Sequence, residues 1–551
     1  MKNALKAVCC LIVLIAAGFI WSCGRDAQNS NNSNAGNSNG SGPASTAVVP
    51  APFPDPGIPG FKFPEAAAVI DGWAKDGKNA EIYNHGWGIW AGLTTPTKQV
   101  PPGGTEPLLV YETWQTPAEI IAAINNDQKL ALAARSNRVN LSRPRQFVHA
   151  LENGDTKFAL KTITAAKPGN TNSGSANSGN AKPANTNSGA KPGPAAAPTP
   201  DTNIVVSVNY SPAAAKYATD NKIFLYDTLK GYADGGKTEI PAFPSDAITL
   251  KPTFKVIQKS ALGPNGLYVM ASWHGPDEPS PAAAGYPEEN WNSCIYVDIN
   301  NKGKGDGSQD PTCSKPTPAT TYNLSDFISY TLNKEDADYY NQEFGLTEDS
   351  GNAAQAGDSA ILVAMHVATR ETVKWTWQSY YWAANPADPK VPSSAEIAKA
   401  RPSQITGAAA HYAMTVAYAM VFPVQPDTGG QSVGDPIYGF NPYLEAGFGN
   451  IVFKGSNSVV KKDNKDIATN FGVRTNCMSC HVYASVTDAN PCRSKDNNGA
   501  GVYSGDAYVS LDDPYFKEQL KVDFAWSVQG NVQKDGKPCP TPTPAPTPTP
   551  K

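Results

Sequence analysis

Five consecutive residues near the C-terminus combine two thiols with an imidazole. Cys477 and Cys480 are separated by two residues, and His481 follows directly. Cys-x-x-Cys-His is the attachment signature of a c-type haem. On one helical turn both thiols can form thioether bonds to the haem vinyl groups, and the imidazole can bind the iron as its proximal ligand. The motif therefore predicts one covalently bound haem c, held by Cys477, Cys480 and His481.

Two other uses of this cysteine pair, besides a chance occurrence, have to be weighed. A zinc site needs a second close pair of Cys or His residues, and the sequence beyond residue 22 contains none. A disulfide oxidoreductase carries its Cys-x-x-Cys beside a thioredoxin-like βαβ pattern, which the surrounding sequence does not show. Haem attachment is therefore the favoured interpretation, on the condition that the protein is exported.

The N-terminus meets that condition. Lys2 and Lys6 precede a run of fifteen apolar residues, which predicts a signal peptide over 1–22 and is short for a transmembrane helix. The sequence Ile20-Trp21-Ser22-Cys23-Gly24 resembles a bacterial lipobox, which implies that Cys23 carries lipid. Because Gly and not Asp follows the cysteine, the resemblance implies the outer membrane. Export also brings the chain to the compartment where bacteria attach c-type haem.

Three segments are too polar or repetitive to bury a core. Residues 23–50 are predicted to form a flexible tether behind the lipidated cysteine, and 165–203 a disordered insert. Residues 538–551 form a tail of Thr-Pro repeats, which favour polyproline II. The remaining 51–537 are predicted to form one large mixed domain of the α+β class, with 401–537 as its haem-bearing segment.

Strand and helix signals follow one another without a regular βαβ rhythm, which indicates the α+β class. Predicted helices include a capped segment that begins at Thr116, a segment over 325–344 and an apolar segment over 408–420. Two adjacent strands are predicted over 360–368 and 373–381. The alternation of the second strand places five side chains on one face: Val373, Trp375, Trp377, Ser379 and Tyr381.

Four cysteines remain after the leader, the lipid site and the haem motif are set aside. They are Cys294, Cys313, Cys492 and Cys539. An even remainder in an exported protein favours two disulfides. Of the three possible pairings we favour Cys294–Cys313 with Cys492–Cys539, because both are local in sequence.

Short strings spread over most of the predicted domain carry a resemblance to a known family. They are Tyr111-Glu112-Thr113-Trp114, Phe243-Pro244-Ser245-Asp246-Ala247-Ile248 with Lys251, His366 with Trp375-Thr376-Trp377, Asn441-Pro442, the haem motif and Asp523-Phe524. They resemble an uncharacterised family of exported bacterial proteins with a single c-type haem motif near the C-terminus (cytochrome c family lipoproteins). The strings lie on both sides of 165–203, which implies that this insert is a loop within one fold.

The sixth ligand of the iron must come from upstream. The sequence contains neither His nor Met after His481, and Met478 lies between the thioether cysteines, where it cannot reach the opposite haem face. We favour His366, which belongs to a family-like string, over its alternative role as a hydrogen-bonded core histidine. The adjacent Met365 would face the other way on a strand. The other candidates are His85, His149, His274, His411, Met270, Met414 and Met420.

Three functional classes remain open. The first, which we favour, is a membrane-anchored mono-haem cytochrome that transfers electrons in the cell envelope. The second is a haem-dependent oxidoreductase that acts on a small substrate. The third is a binding or structural envelope protein in which haem only stabilises the fold. Four tryptophans could line a substrate site or belong to the aromatic core: Trp87, Trp90, Trp114 and Trp273.

Composition argues against a nucleic-acid partner. The chain has 45 Lys and Arg residues against 49 Asp and Glu residues, a net charge of −4, and no basic run beyond the leader. Nucleic-acid-binding domains concentrate positive charge instead. The expected partners are the membrane, through the lipid anchor, and a redox partner protein.

Overall fold

The computed structural model describes most of the region that is predicted to fold. The described residues are 48–100, 106–126, 204–263, 265–276, 286–347, 351, 353–448, 472–494 and 507–539, with the backbone alone of 459–462 and 465–468. The predicted signal peptide (1–22), the lipidation site Cys23 and the insert (165–203) lie outside them. So do most of the predicted tether (23–50) and of the predicted tail (538–551).

Helices and strands both contribute to the described residues in irregular order, which confirms the predicted mixed α+β class. The α-helices there are α1 Ala67–Asp76, α2 Asn79–Leu93, α3 Pro117–Ile124, α4 Pro212–Asp220, α5 Tyr226–Asp234, α6 Lys334–Phe344, α7 Ala395–Lys399, α8 Pro442–Glu445, α9 Cys477–His481 and α10 Trp526–Gln529. The strands there are β1 Val205–Val206, β2 Asn209–Tyr210, β3 Ile248–Ile257, β4 Leu267–Ala271, β5 Cys294–Asp298, β6 Thr321–Asn323, β7 Ser329–Thr331, β8 Ser359–Thr369, β9 Thr376–Trp382, β10 Tyr412–Ala417, β11 Val421–Phe422, β12 Asp435–Pro436, β13 Val459–Lys462, β14 Lys465–Ala468, β15 Ser485–Thr487, β16 Gln519–Lys521, β17 Gln533–Lys534 and β18 Lys537–Pro538.

A seven-stranded antiparallel sheet is the largest element of the fold. Its strand order is β1-β3-β8-β9-β10, while β2 pairs with β3 and β7 pairs with β8. The long strands β3, β8 and β9 are rich in β-branched and aromatic residues, which favour extended backbone. Nearly all of their residues are buried. Burial of successive residues means that both faces of the sheet are covered.

Cross-strand pairing decides which side chains of this sheet share a face. His366 of β8 lies opposite Lys251 of β3 and Ser379 of β9, whereas the adjacent Met365 lies opposite Tyr380. Successive strand residues point to opposite faces, so His366 and Met365 face opposite ways, as predicted. Met365 is fully buried in a hydrophobic core, whereas His366 retains some exposure.

Two predicted helices differ from the structure. The apolar segment 408–420 forms a 3₁₀ turn, Gly407–His411, followed by strand β10. An apolar run of this length fits a buried strand as well as a helix, and pairing with β9 decides for the strand. The helix predicted over 325–344 begins only at α6, where Asn333 caps it, and ends at Gly345 as predicted. Part of the preceding segment forms the short strand β7.

The turn between β8 and β9 is longer than predicted. Trp375 precedes β9 and has a left-handed φ of 61°, and Val373 is 47% exposed in the turn. Neither residue belongs to the strand, so their predicted alternation fails. Trp377, Ser379 and Tyr381 lie within β9 and share one face.

Described segments on the two sides of the insert pack together. The predicted helix start at Thr116 is confirmed, because its side chain accepts from the Glu119 N–H and the Glu119 carboxylate accepts from the Thr116 N–H at 2.7 Å. Beyond the insert, Asn209 donates from Nδ2 to the Trp114 carbonyl at 3.1 Å. Helix α3 also packs against α4. The described residues before and after the insert therefore belong to one compact unit.

Both predicted disulfides are confirmed. Cys294 pairs with Cys313, with Cα atoms 5.1 Å apart, and Cys492 pairs with Cys539, with Cα atoms 5.4 Å apart. These separations lie within the usual range for disulfides. The second bond fastens the C-terminal end of the described chain to the segment that follows the haem motif.

Helix α2 carries glycines where aromatic rings pack against its backbone. A Cβ on Gly88 would lie 2.0 Å from Cδ2 of Phe61. We expect Gly88→Ala to lower the free energy of unfolding by about 1–3 kcal/mol, the usual cost of overpacking, as measured by urea denaturation. Gly72→Ala in α1 is the control, because nothing lies within 4 Å of its Cβ. There, alanine should raise the free energy of unfolding by about 0.5–1 kcal/mol; equal effects at the two sites would contradict this packing.

Candidate functional site

A cavity of about 330 Å³ lies between the central sheet and the C-terminal segment. This volume is at the lower end of the range for small-molecule sites, about 300–1,000 Å³. The cavity is lined by Cys477, Cys480 and His481 and, from the sheet, by Lys251 and His366. Apolar side chains contribute much of the remaining wall: Val206, Leu250, Trp375, Trp377, Phe448 and Trp526. The structure thus brings the haem motif and the favoured sixth ligand to one cavity.

The haem motif, residues Cys477–His481, forms the short helix α9. Hydrogen bonds from Asn476 and Ser479 hold this helix against neighbouring segments. Asn476 caps the helix by accepting from the Ser479 N–H at 3.0 Å, and its Nδ2 donates to the carbonyls of Ala419 and Ile437 at 2.9 and 2.7 Å. Ser479 donates from Oγ to the Ala507 carbonyl at 2.7 Å. Met478 is 1% exposed and does not line the cavity. The anchored residues therefore fix the face that carries both thiols and the imidazole.

Cys477 and Cys480 are not disulfide-bonded. The Cys477 thiol donates to the Gly439 carbonyl at 3.1 Å. Burial raises the pKa of Cys477 well above its usual value, and the negative charge of Glu445 adds to that rise. The Cys477 side chain is therefore a neutral thiol at neutral pH.

His481 is held as a neutral imidazole with a defined tautomer. Its Nδ1–H donates to the Phe524 carbonyl at 2.9 Å, which leaves Nε2 as the unprotonated nitrogen. The Trp377 ring lies against the imidazole, with ring centroids 4.2 Å apart. Burial lowers the pKa of His481 to about 3, despite the opposing effect of the Phe524 hydrogen bond. A neutral histidine with one hydrogen-bonded nitrogen is the form that metals bind.

His366 is engaged through both ring nitrogens. Its Nε2 lies 2.6 Å from Oε1 of Glu445, and its Nδ1 lies 2.9 Å from Oγ of Ser379. The His366 and Glu445 side chains are each 15% exposed. To bind an iron, His366 would therefore have to give up one of these two hydrogen bonds. The prediction that His366 is the sixth ligand stays a prediction.

Lys251 and Glu445 add charge to the same part of the cavity. Burial lowers the pKa of Lys251 to about 8, and the negative charge of Glu445 partly offsets that effect. Sequence reasoning named Lys251 only within a family-like string and missed Glu445 altogether. The Glu445 carboxylate also accepts from the Asn441 N–H at the start of helix α8. Only the fold brings it to His366.

The other described candidates for the sixth ligand do not line the cavity. His85 contacts Tyr418 and Glu371 inside the core, and His274 contacts the Trp291 carbonyl. The remaining side chains are likewise absent from the cavity lining. Those remaining side chains are His411, Met270, Met365, Met414 and Met420. His149 lies outside the described residues. Among the described candidates, the cavity therefore contains His366 alone.

The four tryptophans considered for a substrate site belong to the core. Each is at most 4% exposed, and none lines the cavity. Each donates its indole N–H to a backbone carbonyl, which satisfies its polar atom inside the core. They are Trp87, Trp90, Trp114 and Trp273. The tryptophans that do line the cavity are Trp375, Trp377 and Trp526.

The donor set of the cavity fits a haem c. Two cysteines without a disulfide precede a neutral imidazole with an unprotonated Nε2, and apolar walls surround them. Cys477 and Cys480 would hold the haem by thioether bonds, and His481 would ligate the iron. In the described part of the chain no three His, Cys, Asp or Glu side chains group around a possible metal position. No helix described there is long and apolar enough to cross a bilayer.

Comparison with known proteins adds no relative to this picture. Neither the protein-family models, nor the curated proteins, nor the solved structures contain a match to the chain. The case for a function therefore depends on the motif and on the cavity that contains it.

Proposed function

We propose that the protein is a mono-haem c-type cytochrome that transfers electrons in the cell envelope. One observation carries the proposal: Cys477, Cys480, His481 and His366 line the same cavity, although they come from a C-terminal helix and from the middle of a sheet. Lipid on Cys23 would anchor the protein to a membrane, which we propose is the outer membrane. Its resemblance to exported proteins with a C-terminal haem motif agrees with this proposal.

The side chains of the cavity have separate roles in this proposal. A covalently bound haem would supply an iron that exchanges single electrons with a partner protein. His481 would bind the iron through Nε2, with Nδ1 fixed by the Phe524 carbonyl. His366 could also hold the iron after releasing Glu445. Apolar walls, including Trp377 against His481, would limit water access and so influence the reduction potential.

A haem-dependent oxidoreductase is the second candidate, and one observation favours it. Both nitrogens of His366 are hydrogen-bonded, to Glu445 and Ser379, and Lys251 lies beside them on the neighbouring strand. If His366 keeps these partners, it could not bind the iron as well, and a small molecule could do so instead. The polar cluster would then face that molecule and could exchange protons with it.

The spectrum of the purified, exported protein tests both candidates. We expect pigment that stays with the protein during acid–solvent extraction, and an intact mass that exceeds the polypeptide by one haem. Low-spin iron that does not react with carbon monoxide would support the electron carrier. High-spin iron that binds carbon monoxide would support the oxidoreductase. Pigment that extracts freely, or a protein that never binds haem, would contradict both candidates.

A further inference from the structure

The carboxylate of Asp523 is buried and receives hydrogen bonds from three residues in two separate segments. Its Oδ2 accepts from Arg370 Nε at 2.9 Å and from the Phe243 N–H at 2.8 Å, and its Oδ1 accepts from Arg370 Nε at 3.1 Å and from Trp375 Nε1 at 3.2 Å. The residue is 2% exposed. A buried carboxylate with this many donors is held in one position, because moving it would leave several buried donors without acceptors.

The backbone at this carboxylate has an uncommon conformation. Asp523 has a φ of 47° and Phe524 a φ of 64°. Residues with a Cβ rarely adopt this left-handed region, and two in succession persist only where the surroundings impose it. The hydrogen bonds to Asp523 come from residues distant in sequence, so they supply such a constraint. The Phe524 carbonyl belongs to the peptide group that links Phe524 to Ala525, so its orientation depends on the left-handed backbone at Phe524 that this constraint holds.

That carbonyl is the acceptor for the imidazole of the haem motif. His481 donates its Nδ1–H to the Phe524 oxygen at 2.9 Å. A hydrogen bond on this nitrogen fixes the tautomer of a metal-binding histidine and raises its basicity. The connection from Arg370 and Trp375 through Asp523 to Phe524 and His481 is therefore continuous.

We propose that Asp523 is a positioning residue for the His481 ligand: held by Arg370, Trp375 and the Phe243 N–H, it aims the Phe524 carbonyl at Nδ1. The inference rests on the proposed function in so far as His481 binds the iron. Asp523 does not itself contact the iron ligand; it acts through the backbone of the following residue. The hydrogen-bonded group sets how strongly His481 donates electrons to the metal.

Asp523→Asn is the direct test. An amide has one acceptor oxygen where the carboxylate has two, so either Trp375 Nε1 or the Phe243 N–H would face an NH₂ group. The Phe524 carbonyl would then lose its fixed orientation and the bond to Nδ1 would weaken. A less basic imidazole favours reduced iron. We expect the midpoint potential of the haem protein to move to a more positive value, with a smaller shift in the same direction for Trp375→Phe.

Asp358→Asn separates positioning from mere destabilisation. Asp358 is 3% exposed and its carboxylate accepts from two backbone N–H groups, those of Lys259 at 3.0 Å and Gln355 at 2.8 Å. Asp358 directly precedes β8 and lies eight positions before His366, roughly 26 Å away at the rise of a strand. We expect Asp358→Asn to lower the unfolding temperature of the protein without moving the midpoint potential of the haem. If Asp523→Asn also lowers only the unfolding temperature, the positioning role is overturned.

A haem-free readout keeps this inference distinct from the proposed function. In full-length protein with both motif cysteines replaced by alanine, nitrogen-15 NMR should show His481 as one tautomer, protonated at Nδ1. Adding Asp523→Asn should give a mixture of the two tautomers, and an unchanged single tautomer would overturn the inference. A wild-type protein without haem would contradict the proposed function and leave the NMR result to decide on Asp523.

Discussion

Replacing Cys477 and Cys480 together by alanine is expected to abolish covalent haem attachment while the fold remains intact. Helix α9 is anchored by the cap of Asn476 and by Ser479, to which the Cys477 thiol adds one hydrogen bond to the Gly439 carbonyl. Alanine is the best helix former. Without sulfur atoms no thioether bond can form. All pigment should therefore pass into acidified organic solvent, and the intact mass should equal that of the polypeptide.

Removal of a cysteine pair elsewhere provides the matched control. Cys294→Ala with Cys313→Ala removes a disulfide that closes a loop with a sequence separation of 19. It is expected to cost about 3 kcal/mol of stability but to leave the haem attached. If the Cys477 and Cys480 double variant retains its pigment during extraction with acidified organic solvent, the haem is not attached through these two cysteines, and the prediction is wrong.

Replacing His366 by alanine is expected to convert low-spin iron to high-spin iron that binds carbon monoxide. Apart from His481 itself, the described residues offer no other histidine and no methionine in the cavity wall, so loss of the His366 imidazole would leave the sixth position open. The absorption spectrum with and without carbon monoxide measures the change. Met365→Leu is the control, because Met365 is the adjacent residue on β8 and faces away from the cavity. Its expected cost is below about 1.5 kcal/mol, with no spectral change.

An unchanged low-spin spectrum in His366→Ala would refute the ligand assignment. Attention would then turn to Lys251, the other nitrogen donor that lines the cavity from the sheet. If the iron of the wild-type protein is already high-spin, His366→Ala should change its absorption spectrum only slightly. That result would agree with the hydrogen bonds from His366 to Glu445 and Ser379.

The parts of the fold that sequence predicted are those set by local chemistry. The cap at Thr116 and the stop at Gly345 depend on side chains within one helical turn. The two disulfides were predicted from proximity in the sequence. The segment 408–420 was predicted wrongly, because an apolar run fits a helix or a buried strand and only β9 selects between them.

The candidate site divides in the same way. The cysteines and His481 form a contiguous motif, so sequence could name them without knowledge of the fold. The Glu445 contact to His366 and the Phe524 carbonyl at His481 join residues far apart in the chain. The first contact depends on strand register, which has no local signature in the sequence. The second depends on a left-handed backbone at Phe524, a conformation that sequence indicates only where the residue is glycine.

The positions of the two disulfides also bear on the order in which thiols are consumed in an oxidising compartment. Closing a loop costs about 0.6 kcal/mol more for each doubling of its length, so Cys313 finds Cys294 far more readily than it finds any thiol of the haem motif. Cys492 has no such protection. Its partner Cys539 lies 47 residues away, whereas Cys480 is much closer in the sequence. If the chain is exported as proposed, Cys480 also reaches the oxidising compartment earlier than Cys539. Oxidative folding therefore favours a wrong Cys480–Cys492 bond unless the motif thiols are reacted, or held reduced, before Cys539 arrives.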